Sequence, residues 1–138
     1  MRVLLVLFIV FCALHIATAL LDKKKMTAIL TKCKQQTHAT EDVGEVVNKE
    51  KLPTSPEGKC MMHCALEASG MMTGNRVNII AISEFLVERY AGNNTLLEQA
   101  AKAVAICSSQ LAGKNSNDNC EKASSIFRCG KENNIILV

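Results

Sequence analysis

The stretch Ser55-Pro56-Glu57-Gly58-Lys59-Cys60-Met61-Met62-His63-Cys64-Ala65-Leu66-Glu67-Ala68 decides the fold. Ser55 reads as an N-cap, Pro56 suits the first helical position because its missing N–H would be unpaired there, and Glu57 places an acid on the positive end of the helix dipole. Beyond this start, Cys60, Met61, Met62, Cys64, Ala65, Leu66 and Ala68 leave hardly any face polar. A helix apolar nearly all round belongs in the middle of a fold. Cys60 and Cys64 lie four residues apart and point the same way, so they are placed to reach two other segments rather than each other.

Working outward, Cys33, Cys60, Cys64, Cys107, Cys120 and Cys129 follow C-x26-C-x3-C-x42-C-x12-C-x8-C. Six cysteines allow fifteen pairings, and setting aside Cys60 with Cys64 leaves the others open. They lie downstream of an export signal. Met1 and Arg2 form a short positive start, Val3 to Leu14 is unbroken apolar sequence, and Ala17-Thr18-Ala19 offers small residues at alternate positions for cleavage after Ala19. The run falls short of the roughly 20 apolar residues that span a bilayer, and no second hydrophobic span follows, so no membrane anchor is expected. Residues 1–19 therefore read as a signal peptide and 20–138 as one domain, with Cys12 lost alongside the signal. An even cysteine count in a small exported chain implies a disulfide framework.

The remaining composition narrows the function. After the signal only Phe85, Tyr90 and Phe127 are aromatic, Trp is absent, and the interior must be built from Leu, Ile, Val, Ala and five Met. Such an interior is aliphatic and adaptable, because unbranched Met fills irregular gaps. The net charge of +3 falls to about +2 when Arg2 leaves, and the only basic run is Lys23-Lys24-Lys25. That balance argues against nucleic acid or a lipid surface as partner.

Helical periodicity covers the chain. Asp22 is expected to cap a first helix with Met26, Ile29, Leu30 and Cys33 on one stripe, and a short second helix runs from Thr40 to about Lys49. After the central helix, Gly70 and Gly74 flank Met71 and Met72 in a connection. A fourth helix from about Arg76 to Ala91 aligns Ile79, Ile82, Leu86 and Tyr90 on one side and Glu84 and Glu88 on the other, with Gly92 stopping it. Asn94 is expected to cap a fifth helix whose inward arc holds Leu96, Leu97, Ala100, Val104, Cys107 and Leu111, while Ile106 falls on the polar arc without an account. Polar sequence from Gly113 to Asn119 leads to a sixth helix with Cys120, Ala123 and Phe127 on one face, closed by Gly130. No strand alternation or internal repeat is seen.

The full cysteine spacing, inside six helices after a signal, resembles the insect odorant-binding protein family in its six-cysteine pheromone and general odorant carrier branch, over the whole mature chain. The resemblance implies an all-α, six-helix, disulfide-stapled bundle around an internal hydrophobic cavity. It implies the bridges Cys33 to Cys64, Cys60 to Cys120 and Cys107 to Cys129, and reversible carriage of small hydrophobic molecules, odorants, pheromones or similar volatiles, through an aqueous fluid such as sensillum lymph or haemolymph. An olfactory receptor and a second copy of the chain are the protein partners it allows. It implies no cofactor and no enzymatic activity.

A twelve-carbon volatile burying about 10 methylenes at about 0.8 kcal/mol each gains roughly 8 kcal/mol before ordering costs, so its affinity is expected near micromolar or weaker. The expected wall residues are Met61, Leu66, Met72, Ile79, Ile82, Leu86, Tyr90, Val104 and Phe127, with the Tyr90 hydroxyl as the polar contact. Ile135-Ile136-Leu137-Val138 ends the chain on four apolar residues, where termini are ordinarily polar. Ile136, Leu137 and Val138 are expected to close the cavity as a lid, since the nine residues after Cys129 are too few for a helix that fills it. His38, His63 or the terminal carboxylate are candidates for gating release as pH falls.

Other chemistries fit less well. His63 between Cys60 and Cys64 has the look of a zinc site or of a secreted phospholipase helix, yet an oxidising compartment pairs the thiols and no acidic Gly-rich calcium loop is present. Neither a Gly-x-Ser-x-Gly elbow nor a spaced acid pair in an apolar context is found. Asn93-Asn94-Thr95 matches the glycosylation sequon and also reads as a helix boundary. Two alternatives remain: a salivary or venom trap for biogenic amines, which would need a carboxylate facing the cavity, and a filled-core helical signalling protein.

Overall fold

The computed structural model describes residues 1–112 and 117–137, and the side chains of these except residues 12–21. Six α-helices make up the described chain: α1 (Arg2–Thr37), α2 (Val43–Lys49), α3 (Pro56–Ala68), α4 (Ile79–Arg89), α5 (Asn94–Ala112) and α6 (Asn119–Glu132). The fold is all-α. The polar segment 113–116, Val138 and the side chains around the expected cleavage site lie outside the description.

Most helix starts follow the local chemistry of the sequence. Ser55 Oγ accepts from Gly58 N at 2.9 Å, as its place before Pro56 predicts. Asp42 Oδ1 accepts from Glu45 N at 2.9 Å, so α2 begins at Val43 rather than Thr40. Asp118 Oδ1 accepts from the N–H groups of Cys120 and Glu121. Asn93 Oδ1 accepts from Leu96 N at 3.1 Å, moving the α5 cap one residue ahead of the expected Asn94.

Further expectations are corrected. Asp22 caps nothing, because α1 runs unbroken from Arg2 and carries Val3–Phe11 exposed on its first turns. No helix among the described residues is long and apolar enough to cross a membrane. Strand pairing, which the helical pattern hid, occurs as β1 (Met72–Thr73) against β2 (Arg76–Val77), joined by a two-residue turn in which Gly74 has φ 55°. This hairpin uses Arg76 and Val77, so α4 starts at Ile79 with Asn78 Oδ1 accepting from Ala81 N at 3.1 Å. Finally, Gly130 does not close α6. The helix continues to Glu132, and Asn134 at φ 58° turns the chain back.

The bridges join Cys33 to Cys64, Cys60 to Cys120 and Cys107 to Cys129. They staple α1 to α3, α3 to α6 and α5 to α6. As its apolar circumference demands, α3 is central, packed between α1 and α6. Leu30, Met61, Met62, Leu66 and Met72 are each no more than 1% exposed and form the solid half of the interior. Among the described helices, the backbone of α4 comes close only to that of α5.

Candidate functional site

The other half of the interior is bounded by α4, α5, α6 and the C-terminal tail. Ile79, Ile82 and Leu86, spaced i, i+3 and i+7, turn one face of α4 inward. Opposite them, α5 contributes Ala103, Val104, Cys107, Ser108 and Leu111, and α6 contributes Ile126 and Gly130. Val77 of β2 and the tail residues Ile135 and Leu137 complete the lining. The apolar space they line measures about 30 Å³ and is partly open to the surface. That is room for about two waters, since one needs roughly 10 to 15 Å³.

The tail is drawn in by backbone chemistry. Ile135 N donates to Gly130 O at 2.8 Å, and a Cβ on Gly130 would stand 3.2 Å from the Ile135 carbonyl oxygen. The missing side chain therefore lets the tail cross α6 closely. Ile136 N donates to the Tyr90 hydroxyl at 3.4 Å, which ties the tail to the end of α4. Ile135 and Leu137 are buried, so the apolar terminus finds cover against the body.

Of the residues expected in the wall, Ile79, Ile82, Leu86, Val104 and Leu137 lie on this lining. Met61, Leu66 and Met72 sit in the solid half. Phe127 is buried, Tyr90 and Ile136 are partly buried, and none of the three lines the void. Val138 is outside the described residues. Val77, Ala103, Ser108, Ile126 and Ile135 were not named as wall residues. Cys107 and Leu111 already belonged to the inward arc of the fifth helix, and Ala103 and Ser108 stand one turn from them on the same side.

Neither His38 nor His63 lines the cavity. His63 Nε2 is 3.1 Å from Gly74 O and 3.6 Å from Glu67 Oε1, while Glu67 Oε1 also accepts from Gly74 N at 2.9 Å. Together they clamp the hairpin onto α3. His38 ends α1 at φ 58° and borders a polar surface hollow with Lys34 and Asp42.

Glu84 and Glu88 are exposed on the far side of α4, as their helical position predicts. They rim a groove of about 360 Å³ between α1 and α4, floored by Met26, Ile29, Met71 and Phe85. Arg89 lies over the Phe85 ring at 5.7 Å. Acidic and basic groups both line this groove, and neither carboxylate faces the void behind α4. Among the described residues, no group of three or more His, Cys, Asp or Glu could hold a metal ion.

The fold is shared with known structures. Odorant-binding protein dmelOBP28a from Drosophila melanogaster superposes with a TM-score of 0.65 at 22% identity, over 80% of this chain and 89% of that one. Fatty acid binding protein OBP56a from the oral disk of the blowfly Phormia regina gives 0.61 at 21% identity, over 82% of this chain and 91% of that one. No curated protein matches the chain significantly by sequence. The model of the PBP/GOBP family matches residues 18–133, a span that holds all six bridged cysteines. By that match the chain belongs to the PBP/GOBP family.

Proposed function

We propose that this chain is a secreted carrier that binds small hydrophobic molecules reversibly between α4, α5, α6 and the tail, and releases them elsewhere in an aqueous fluid. The observation that carries this reading is the wholly apolar lining between helices held by a three-disulfide frame. Bridges that contribute about 2 to 4 kcal/mol each by restricting the unfolded chain let a domain keep an imperfectly filled centre. Membership of the PBP/GOBP family supports the reading, as do structural neighbours named for odorants and for fatty acids. Residues 1–19 would direct export and then be removed.

Typical ligand pockets hold about 300 Å³ or more. A void of about 30 Å³ therefore has to widen on loading. The elements best suited to part are α4, whose backbone among the described helices comes close only to α5, and the tail, which acts as the lid. Ligand affinity near micromolar or weaker follows from the transfer energy given above.

The test is saturable binding of a fluorescent apolar probe, N-phenyl-1-naphthylamine, to the oxidised mature protein. Leu86→Asn, which puts an amide on the lining, is expected to weaken binding by about tenfold or more. Ile80→Asn, on the outer face at 71% exposure, is expected to leave it unchanged. Absence of saturable binding, or equal effects from both substitutions in proteins with native circular dichroism, overturns the proposal.

A further inference from the structure

The chemistry of the lining carries a statement about ligand class, and it rests on the carrier reading. The surface that faces the void is wholly apolar. No charged or amide side chain contributes to it, and the one hydroxyl, on Ser108, donates to Val104 O one turn back at 2.6 Å. The backbone there is committed too, since Gly130 O accepts from Ile135 N at 2.8 Å and from Asn133 N at 3.1 Å. The Tyr90 hydroxyl stands off the lining and accepts from Ile136 N. A ligand oxygen brought into this space meets no free donor, a ligand hydroxyl finds at most the lone pairs of the Ser108 oxygen, and a carboxylate meets no counter-charge. The hydroxyl would surrender most of its hydration and the carboxylate all of it, the latter far more severely.

We infer that this chain selects neutral ligands without strong hydrogen-bonding groups, hydrocarbons and terpenes in particular, over alcohols and carboxylic acids of equal carbon number. Ser108 does not alter this preference: its hydroxyl is turned back on its own helix, so the wall stays hydrocarbon-like even though a polar residue occupies it.

The test is displacement of N-phenyl-1-naphthylamine from the oxidised mature protein at pH 7.4 by 1-octene, 1-octanol and octanoate, for the native chain and for Ser108→Ala. 1-Octene is expected to compete at least about tenfold more effectively than octanoate, with 1-octanol between them, and Ser108→Ala is expected to preserve that order. Octanol or octanoate competing as well as octene overturns the inference, as does a selective loss of octanol binding in Ser108→Ala, which would show the hydroxyl serving the ligand. In each of those cases the carrier reading stands, because the probe has bound. Failure of the probe itself to bind overturns both.

Discussion

The Glu41 carboxylate lies over the first turn of α3, where the Ser55 hydroxyl donates to its Oε1 and Gly58 offers no side chain to keep it out. A Cβ at position 58 would stand 2.1 Å from Glu41 Oε1 and 2.6 Å from Pro53 Cβ. Gly58→Ala is thus expected to destabilise by about 1 to 3 kcal/mol from overpacking, although Ala alone favours a helix by about 1 kcal/mol over Gly. Chemical unfolding of the oxidised protein checks the sign. Burial pushes the Glu41 carboxyl up, but hydrogen bonds from the Ser55 hydroxyl and nearby backbone outweigh it and hold the pKa below its ordinary 4.5. A lowered native pKa means stability that is present above the unfolded value and is lost as pH falls through the native one. The Tm gap between the native chain and Glu41→Gln should therefore be widest near neutral pH and close below about 4.5. A gap that stays constant from pH 7 to pH 3 would remove Glu41 as its source. Nothing in the sequence pattern marks this contact, because it joins residues 41, 55 and 58 through a loop without periodicity.

At the scale of elements, the helices differ in how they are held. The bridges tie α1, α3, α5 and α6, while α2 and α4 carry none. With no disulfide and a backbone that among the described helices comes close only to α5, α4 has the fewest restraints beside the void, and Gly74 and Gly92 beyond its two ends both hold positive φ. Amides of α4 are expected to exchange with solvent well ahead of those in α3, which lies between two helices and is doubly stapled. Native-state hydrogen exchange measures this directly, and equal protection would remove α4 as the moving wall. The sequence made the existence of all six helices legible, because caps such as Ser55 and stripes such as Ile79, Ile82 and Leu86 are local signals. It concealed the hairpin, since Arg76 and Val77 also fit the period of the helix that follows, and only pairing with Met72 and Thr73 separates them from it. Gly130 misled for a related reason. Its lack of a side chain serves an approach by Ile135 from five residues onward rather than a helix end.

For the molecule as a whole, the interior divides in two. The half around α3 is filled by Met61, Met62 and Leu66, and the half behind α4 retains the void. Periodicity separates inward from outward, so Met61, Leu66 and Met72 read as interior residues with the same force as Ile82 and Leu86. It does not distinguish two interior spaces, which depend on how helices far apart in sequence cross. That is why the methionines, adaptable by chemistry, were expected around the ligand and instead lie in the packed half. The cysteine spacing, by contrast, allowed the three bridges to be inferred through family resemblance, where geometry alone left the pairing open.

Those bridges also overlap along the chain: the first closes 33 to 64, the second 60 to 120, the third 107 to 129. Every peptide bond between Cys33 and Cys129 therefore lies within at least one covalent ring. A protease that nicks the backbone once anywhere in that span leaves both fragments joined, and only reduction would let them come apart.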